Sequence, residues 1–293
     1  MATRSPSYRC VRAGSAIAMG ALLEPLAHPK LGGVTRVVSQ PDKDVFSFAV
    51  HHEAVERAVI EACASAEGGG EDPVADGLEE YSRALDELSI RTNVGLGQAL
   101  LLIPLGAAAV NANGSDELRL RASWLTARST PRATEEYYAL LSRLRPSHLG
   151  RYWGPLGDVG EGPPRLGLGE VLSLLDDIVS QEAVNGYRLS AVARDLVLAA
   201  GSAEEGINAA VVRLASTVPD TLIARSRGLR ASLIGLAEVR LSRGASAQLA
   251  TRWAGRGWSP GSILDVVSAG VSLAKFDAIA KGSLRGRTDV STG

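Results

Sequence analysis

The stretch LGQALLLIPLGAAAV, from Leu96 to Val110, decides the fold. It is the most apolar run of the chain, and either a membrane-crossing helix or a helix buried in a protein core would carry it. It covers about 15 residues and is interrupted by Gly97, Gln98, Pro104 and Gly106, whereas a membrane span needs roughly 20 apolar residues. It therefore reads as a core helix, and a core helix needs other helices or a sheet around it.

Working outward, the same helical period recurs almost everywhere. Apolar residues return three and four positions apart, as in Val171, Leu174, Leu175 and Ile178, the stripe of a half-buried helix. The spacing predicts helices over 8–27, 44–65, 74–90, 96–111, 116–127, 133–145, 167–184, 189–200, 203–216, 228–243, 246–256 and 261–280. Start signals agree with this: Asp44, Ser115 and Ser202 stand as N-caps, and Pro131 sits in a first turn. The one strand-like piece, residues 33–39, is too short and solitary to build a sheet. The expectation is an all-α protein of about 12 helices in one domain over residues 1–280, followed by a flexible tail over 281–293. Residues 67–73 read as a surface loop. Residues 146–165, rich in proline and glycine, read as a long internal loop of the kind that is usually functional.

Composition narrows the function. The 293 residues carry 31 basic and 32 acidic side chains, a net charge of -1, which argues against nucleic acid as a partner. Two cysteines, Cys10 and Cys63, are too few for a disulfide scaffold or a cysteine zinc site, so a reducing cytoplasm is the expected compartment. The basic amino-terminal segment lacks a convincing leader pattern, and no membrane association is expected. The histidines show no metal-ligand spacing, and HExxH, CxxC and GxSxG are all absent. Lysine occurs only at Lys30, Lys43, Lys275 and Lys281, so phosphate binding must lean on arginine.

In a helical protein, chemistry gathers where helices end, because free backbone N–H groups there attract anions. Several interruptions carry suitable residues. His28-Pro29-Lys30-Leu31-Gly32-Gly33 offers a cation and a close backbone approach. Asp42-Lys43-Asp44 offers two carboxylates at a helix start, either as caps or as metal ligands. Arg91-Thr92-Asn93-Val94-Gly95 leads into the apolar helix as a possible phosphate nest, without the lysine ending of a P-loop. Glu170 and Asp177, two turns apart on one predicted helix, would share a face. Pro219-Asp220-Thr221 through Arg225 starts a helical turn, and Pro260-Gly261-Ser262-Ile263-Leu264-Asp265 starts the last helix with Asp265 in its first turn.

Taken in order, these segments resemble the triphosphoribosyl-dephospho-CoA synthases, also called ATP:dephospho-CoA triphosphoribosyltransferases, in their archaeal-type variant. His28-Pro29-Lys30-Leu31-Gly32 is similar to that family's Pro-Lys-Pro-Gly turn, with Leu31 in place of the second proline. Arg91-Thr92-Asn93-Val94-Gly95 is similar to its Asn-Thr-His-Lys-Gly or Asn-Thr-Asn-Leu-Gly segment, with Val94 where a lysine can stand. The Asp-Thr…Arg piece matches Asp220, Thr221 and Arg225. The carboxy-terminal Pro-Gly…Asp piece matches Pro260 to Asp265, and an Asp…Asn-Gly-aromatic piece matches Asp177 to Tyr187.

The resemblance covers residues 16–280 and implies an ATP-dependent transferase. It would join the 2′-hydroxyl of dephospho-CoA, or of a related acceptor, to C1 of the ATP ribose, releasing adenine and keeping the triphosphate. It implies Asp220 and Asp177 as catalytic carboxylates, and Lys30, Gly32, Thr92, Asn93, Gly95, Arg225 and Asp265 as nucleotide-binding residues. It further implies Asp42, Asp44 and Asp177 as ligands of a magnesium ion brought by ATP. A homodimer is compatible with the aromatic-poor helices. The alternatives are a related ATP-dependent transferase with another acceptor, and a non-catalytic helical binding or scaffold protein.

Overall fold

The structure, a computed structural model, describes residues 5–146, 156, 158–242 and 247–288, with residues 281–288 by backbone alone. Among them the chain forms fourteen α-helices and no strand, so the all-α expectation holds. In order these are α1 (Tyr8–Leu26), α2 (Val45–Gly68), α3 (Pro73–Glu87), α4 (Leu96–Ala108), α5 (Ser115–Ala127), α6 (Pro131–Leu144), α7 (Leu168–Ser173), α8 (Ile178–Val184), α9 (Arg188–Ala199), α10 (Ala203–Ala215), α11 (Thr221–Arg227), α12 (Leu229–Leu241), α13 (Ala247–Gly255) and α14 (Gly261–Thr288).

The apolar run is α4, and nearly all of it is buried against α2, α5 and α14. No single described helix is long and apolar enough to cross a membrane; residues 96–111 and α5 pass together only as a pair bent by 114°. Around α4 the long helices pack closely through small residues. A Cβ on Gly106 would stand 2.4 Å from the Val59 carbonyl oxygen, and one on Gly20 would stand 2.2 Å from that of Ser268. Contacts of Cys10 with Cys63, Ser15 with Glu56 and His52 with Ala18 run α1 and α2 antiparallel. Arg12 meeting Ile279, and Ser272 meeting Ile17, do the same for α1 and α14.

Four expectations need correction. The helix predicted over 167–184 is two helices, because side chains satisfy the backbone at the break. Gln181 donates to the Leu175 carbonyl at 2.9 Å, and Asp177 caps α8 through the Val179 and Ser180 N–H groups. Glu170 consequently caps α7 through the Gly167 N–H and shares no helix face with Asp177. Asp72, expected in a plain surface loop, is buried: it caps α3 and accepts from the N–H and hydroxyl of Thr130. Cys10 and Cys63, expected in a reducing compartment, form a disulfide between α1 and α2. Finally, α14 stays helical to Thr288, past the expected start of the tail. Half of the 146–165 loop, residues 147–155 and 157 with His148 among them, lies outside the described residues.

Candidate active site

The turn after α1 is shaped by two glycines. Gly32 and Gly33 both have φ near +70° (71° and 72°), a region that L side chains avoid. A Cβ on either would also strike the start of α14, Pro260 Cδ at 2.6 Å or Leu264 Cδ1 at 2.4 Å. The turn folds Lys30 inward. Its ammonium donates to the Glu24 carboxylate and, at 2.9 Å, to the Glu24 carbonyl, with no exposed side-chain surface. Burial lowers the Lys30 pKa and raises that of Glu24, so desolvation weighs on both charges even as they stabilise each other. Gln98, in the first turn of α4, donates to the other Glu24 oxygen at 3.4 Å.

Lys43 reaches from the next turn to the Asn93 carbonyl at 3.4 Å. Asn93 caps α4, its Oδ1 accepting from the Leu96 N–H at 3.0 Å, while Gly95 adds no side-chain cap. His51, fully buried below Gly95, bonds Tyr81 through Nε2 at 2.9 Å, and burial pushes its pKa down to about 3. It is a neutral core histidine.

A second group of residues joins three helix starts. Asp220 caps α11 through the Ile223 N–H at 2.8 Å and also accepts from the Ile263 N–H of α14 at 2.9 Å. Burial pushes its pKa up to about 6. The Thr221 hydroxyl lies 3.1 Å from Asp177 Oδ1 and 2.9 Å from Ser262 Oγ. Arg225, about half exposed, approaches the same Asp177 oxygen at 3.8 Å. Asp265 ties the two groups together. It lies against Gly97, where a Cβ would stand 2.1 Å from its Oδ2. Its carboxyl is held well above the usual carboxylate range by burial first, then by the charges of Glu24, Asp220 and Asp177, with Lys43 opposing.

The structure thus brings together Asn93, Gly95, Asp177, Asp220, Arg225 and Asp265 where the starts of α4, α8, α11 and α14 meet. Lys30 and Gly32 stand behind them, with the ammonium turned to Glu24 rather than outward. Thr92 is exposed at the rim. Asp42 is exposed in its turn, and Asp44 closes a capping box with Ser47, whose N–H holds the Asp44 pKa low. Among the described residues no three His, Cys, Asp or Glu side chains come together to hold an ion, so Asp42, Asp44 and Asp177 do not form a joint metal site. Sequence reasoning missed Glu24, Lys43 and Gln98 as members of the site. The signal was present: Glu24 and Gln98 are single polar residues inside otherwise apolar helix stretches.

A family model described as ATP:dephospho-CoA triphosphoribosyl transferase (CitG) matches residues 10–283. A solved structure from Archaeoglobus fulgidus, provisionally named a triphosphoribosyl-dephospho-CoA synthase, is similar with a TM-score of 0.56 and 17% identity. It covers 77% of this chain and 97% of its own. At that identity the likeness speaks for the fold. No curated protein matches.

Proposed function

The chain belongs to the ATP:dephospho-CoA triphosphoribosyl transferase family, transferases that use ATP, and from that premise we propose how its own residues serve the transfer. The acceptor's 2′-hydroxyl attacks C1 of the ATP ribose, adenine departs, and the triphosphate stays on the sugar. The observation that carries this reading is the meeting of Glu24, Lys43, Asp177, Asp220 and Asp265 at one place between helix starts. Displacement at a ribose C1 passes through an oxocarbenium-like state, for which Asp177 and Asp220 provide the stabilising negative charge.

The triphosphate is bound at the amino-terminal end of α4, which carries partial positive charge, with Arg225 and Lys43 as its cations. Lys43 compensates for Val94, since its ammonium lies on the carbonyl of the adjacent Asn93. Asp220 has both oxygens engaged by backbone N–H groups, so it positions α11 against α14 and contributes its charge from there. Asp177 orients Thr221 and Arg225 in the same way. Magnesium enters as the counter-ion of ATP, with most of its ligands from phosphate and water, since among the described residues no three His, Cys, Asp or Glu side chains gather to hold it.

The test is to incubate the protein with ATP, magnesium and dephospho-CoA and to separate the products by chromatography. One free adenine per new triphosphoribosyl product is expected. ADP in place of adenine overturns the reading in favour of phosphoryl transfer.

A further inference from the structure

Four carboxylates meet at the site, and three of them already have partners. Glu24 holds Lys30 and Gln98. Asp177 holds the start of α8 and Thr221. Asp220 holds the backbone of Ile223 and Ile263. Asp265 is different. It is only half-buried, like Gly97 beside it, and takes no hydrogen bond or ion pair from any described residue. The groups facing it are Glu24 from α1, Lys43 from the turn before α2, Tyr81 from α3, Asp177 before α8 and Asp220 before α11. Only Lys43 among these favours its ionised form, and burial with the other charges holds the Asp265 pKa well above the ordinary carboxylate range.

Resting on the transfer reaction argued above, we propose that Asp265 is a catalytic residue, the general acid that protonates the departing adenine. A purine leaves a ribose as a poor anion unless a proton reaches its ring, and a protonated carboxyl without competing partners is the group able to supply one. The proton passes from Asp265 to adenine N7 as the C1–N9 bond breaks, and the bonding electron pair stays with the base. The acceptor oxygen bonds to C1 and its proton leaves to solvent. The Asp265 carboxylate then regains a proton from solvent, so the cycle balances. Gly97 serves this role by leaving room for the carboxyl against the first turn of α4.

Asp265→Asn decides the matter, assayed for base release with two donors, ATP and N7-methyl-ATP. The methylated base already carries its positive charge and needs no proton to leave. With ATP the variant should lose on the order of 10²–10⁴ in rate, and with N7-methyl-ATP less than about ten-fold. Turnover of the methylated donor also shows that the variant is folded, and Asp265→Ser is read in the same way as a second substitution. An equal loss with both donors, or wild-type-like release from ATP, overturns the role of Asp265 while the transfer reaction stands. A wild-type protein that releases no base from either donor overturns the transfer reaction itself, and this proposal with it.

Discussion

Asp220 accepts one backbone N–H on each oxygen, at 2.8 and 2.9 Å, inside a buried junction. Asparagine would turn an NH₂ group toward one of those donors, which costs on the order of 1–3 kcal/mol. The carboxyl also has a pH signature. Burial raises its pKa from 3.8 to about 6, so the folded protein binds this proton more tightly than the unfolded chain. The stability it contributes is full below about pH 4 and is lost as pH rises through about 6. Urea midpoints between pH 4 and pH 7 should therefore fall with rising pH in the wild type, and Asp220→Asn should flatten part of that fall. Parallel profiles would mean that Asp220 titrates as it does in the unfolded chain. Sequence alone shows an aspartate before a threonine at a helix start; the second acceptor role, toward residue 263, is invisible from there.

The antiparallel pair α1 and α2 carries the Cys10–Cys63 disulfide, which closes a loop across 53 residues of sequence. On chain-entropy grounds such a link stabilises the fold by about 4 kcal/mol. Adding reductant, or substituting Cys63→Ser, should lower the chemical-denaturation midpoint by a corresponding amount. An unchanged midpoint would show that the two helices hold together without the link. Helix existence was legible because a stripe at positions three and four apart needs only local sequence, as α3, α6 and α10 show. The break between α7 and α8 was not, because the stripe from Val171 to Ile178 runs on while the Gln181 side chain takes the backbone hydrogen bonds that a continuous helix would make. The cysteine pairing was hidden for a related reason: it depends on which faces of α1 and α2 meet.

At the scale of the molecule, the ATP site proposed above lies where helix starts converge around Asp265. Ligand that binds only the folded state stabilises it, by about 2.7 kcal/mol at 100 times its dissociation constant. Titrating magnesium-ATP into the protein should raise the melting temperature to a plateau, and Arg225→Ala should shift the titration to higher concentration. A melting temperature indifferent to ATP would favour the non-catalytic scaffold. By itself the sequence determined the helical class, the core position of residues 96–108 and the segments that resemble a transferase family, because these rest on local period, caps and short motifs. Tertiary structure alone decided that Lys30 turns inward to Glu24, that Asp220 clips two helices, that Asp42 and Asp44 stand apart from Asp177 as ligands, and that Asp265 lies against Gly97 without a hydrogen bond from any described residue. Those outcomes depend on burial and on the neighbours that long-range packing supplies, and no reading along one chain contains them.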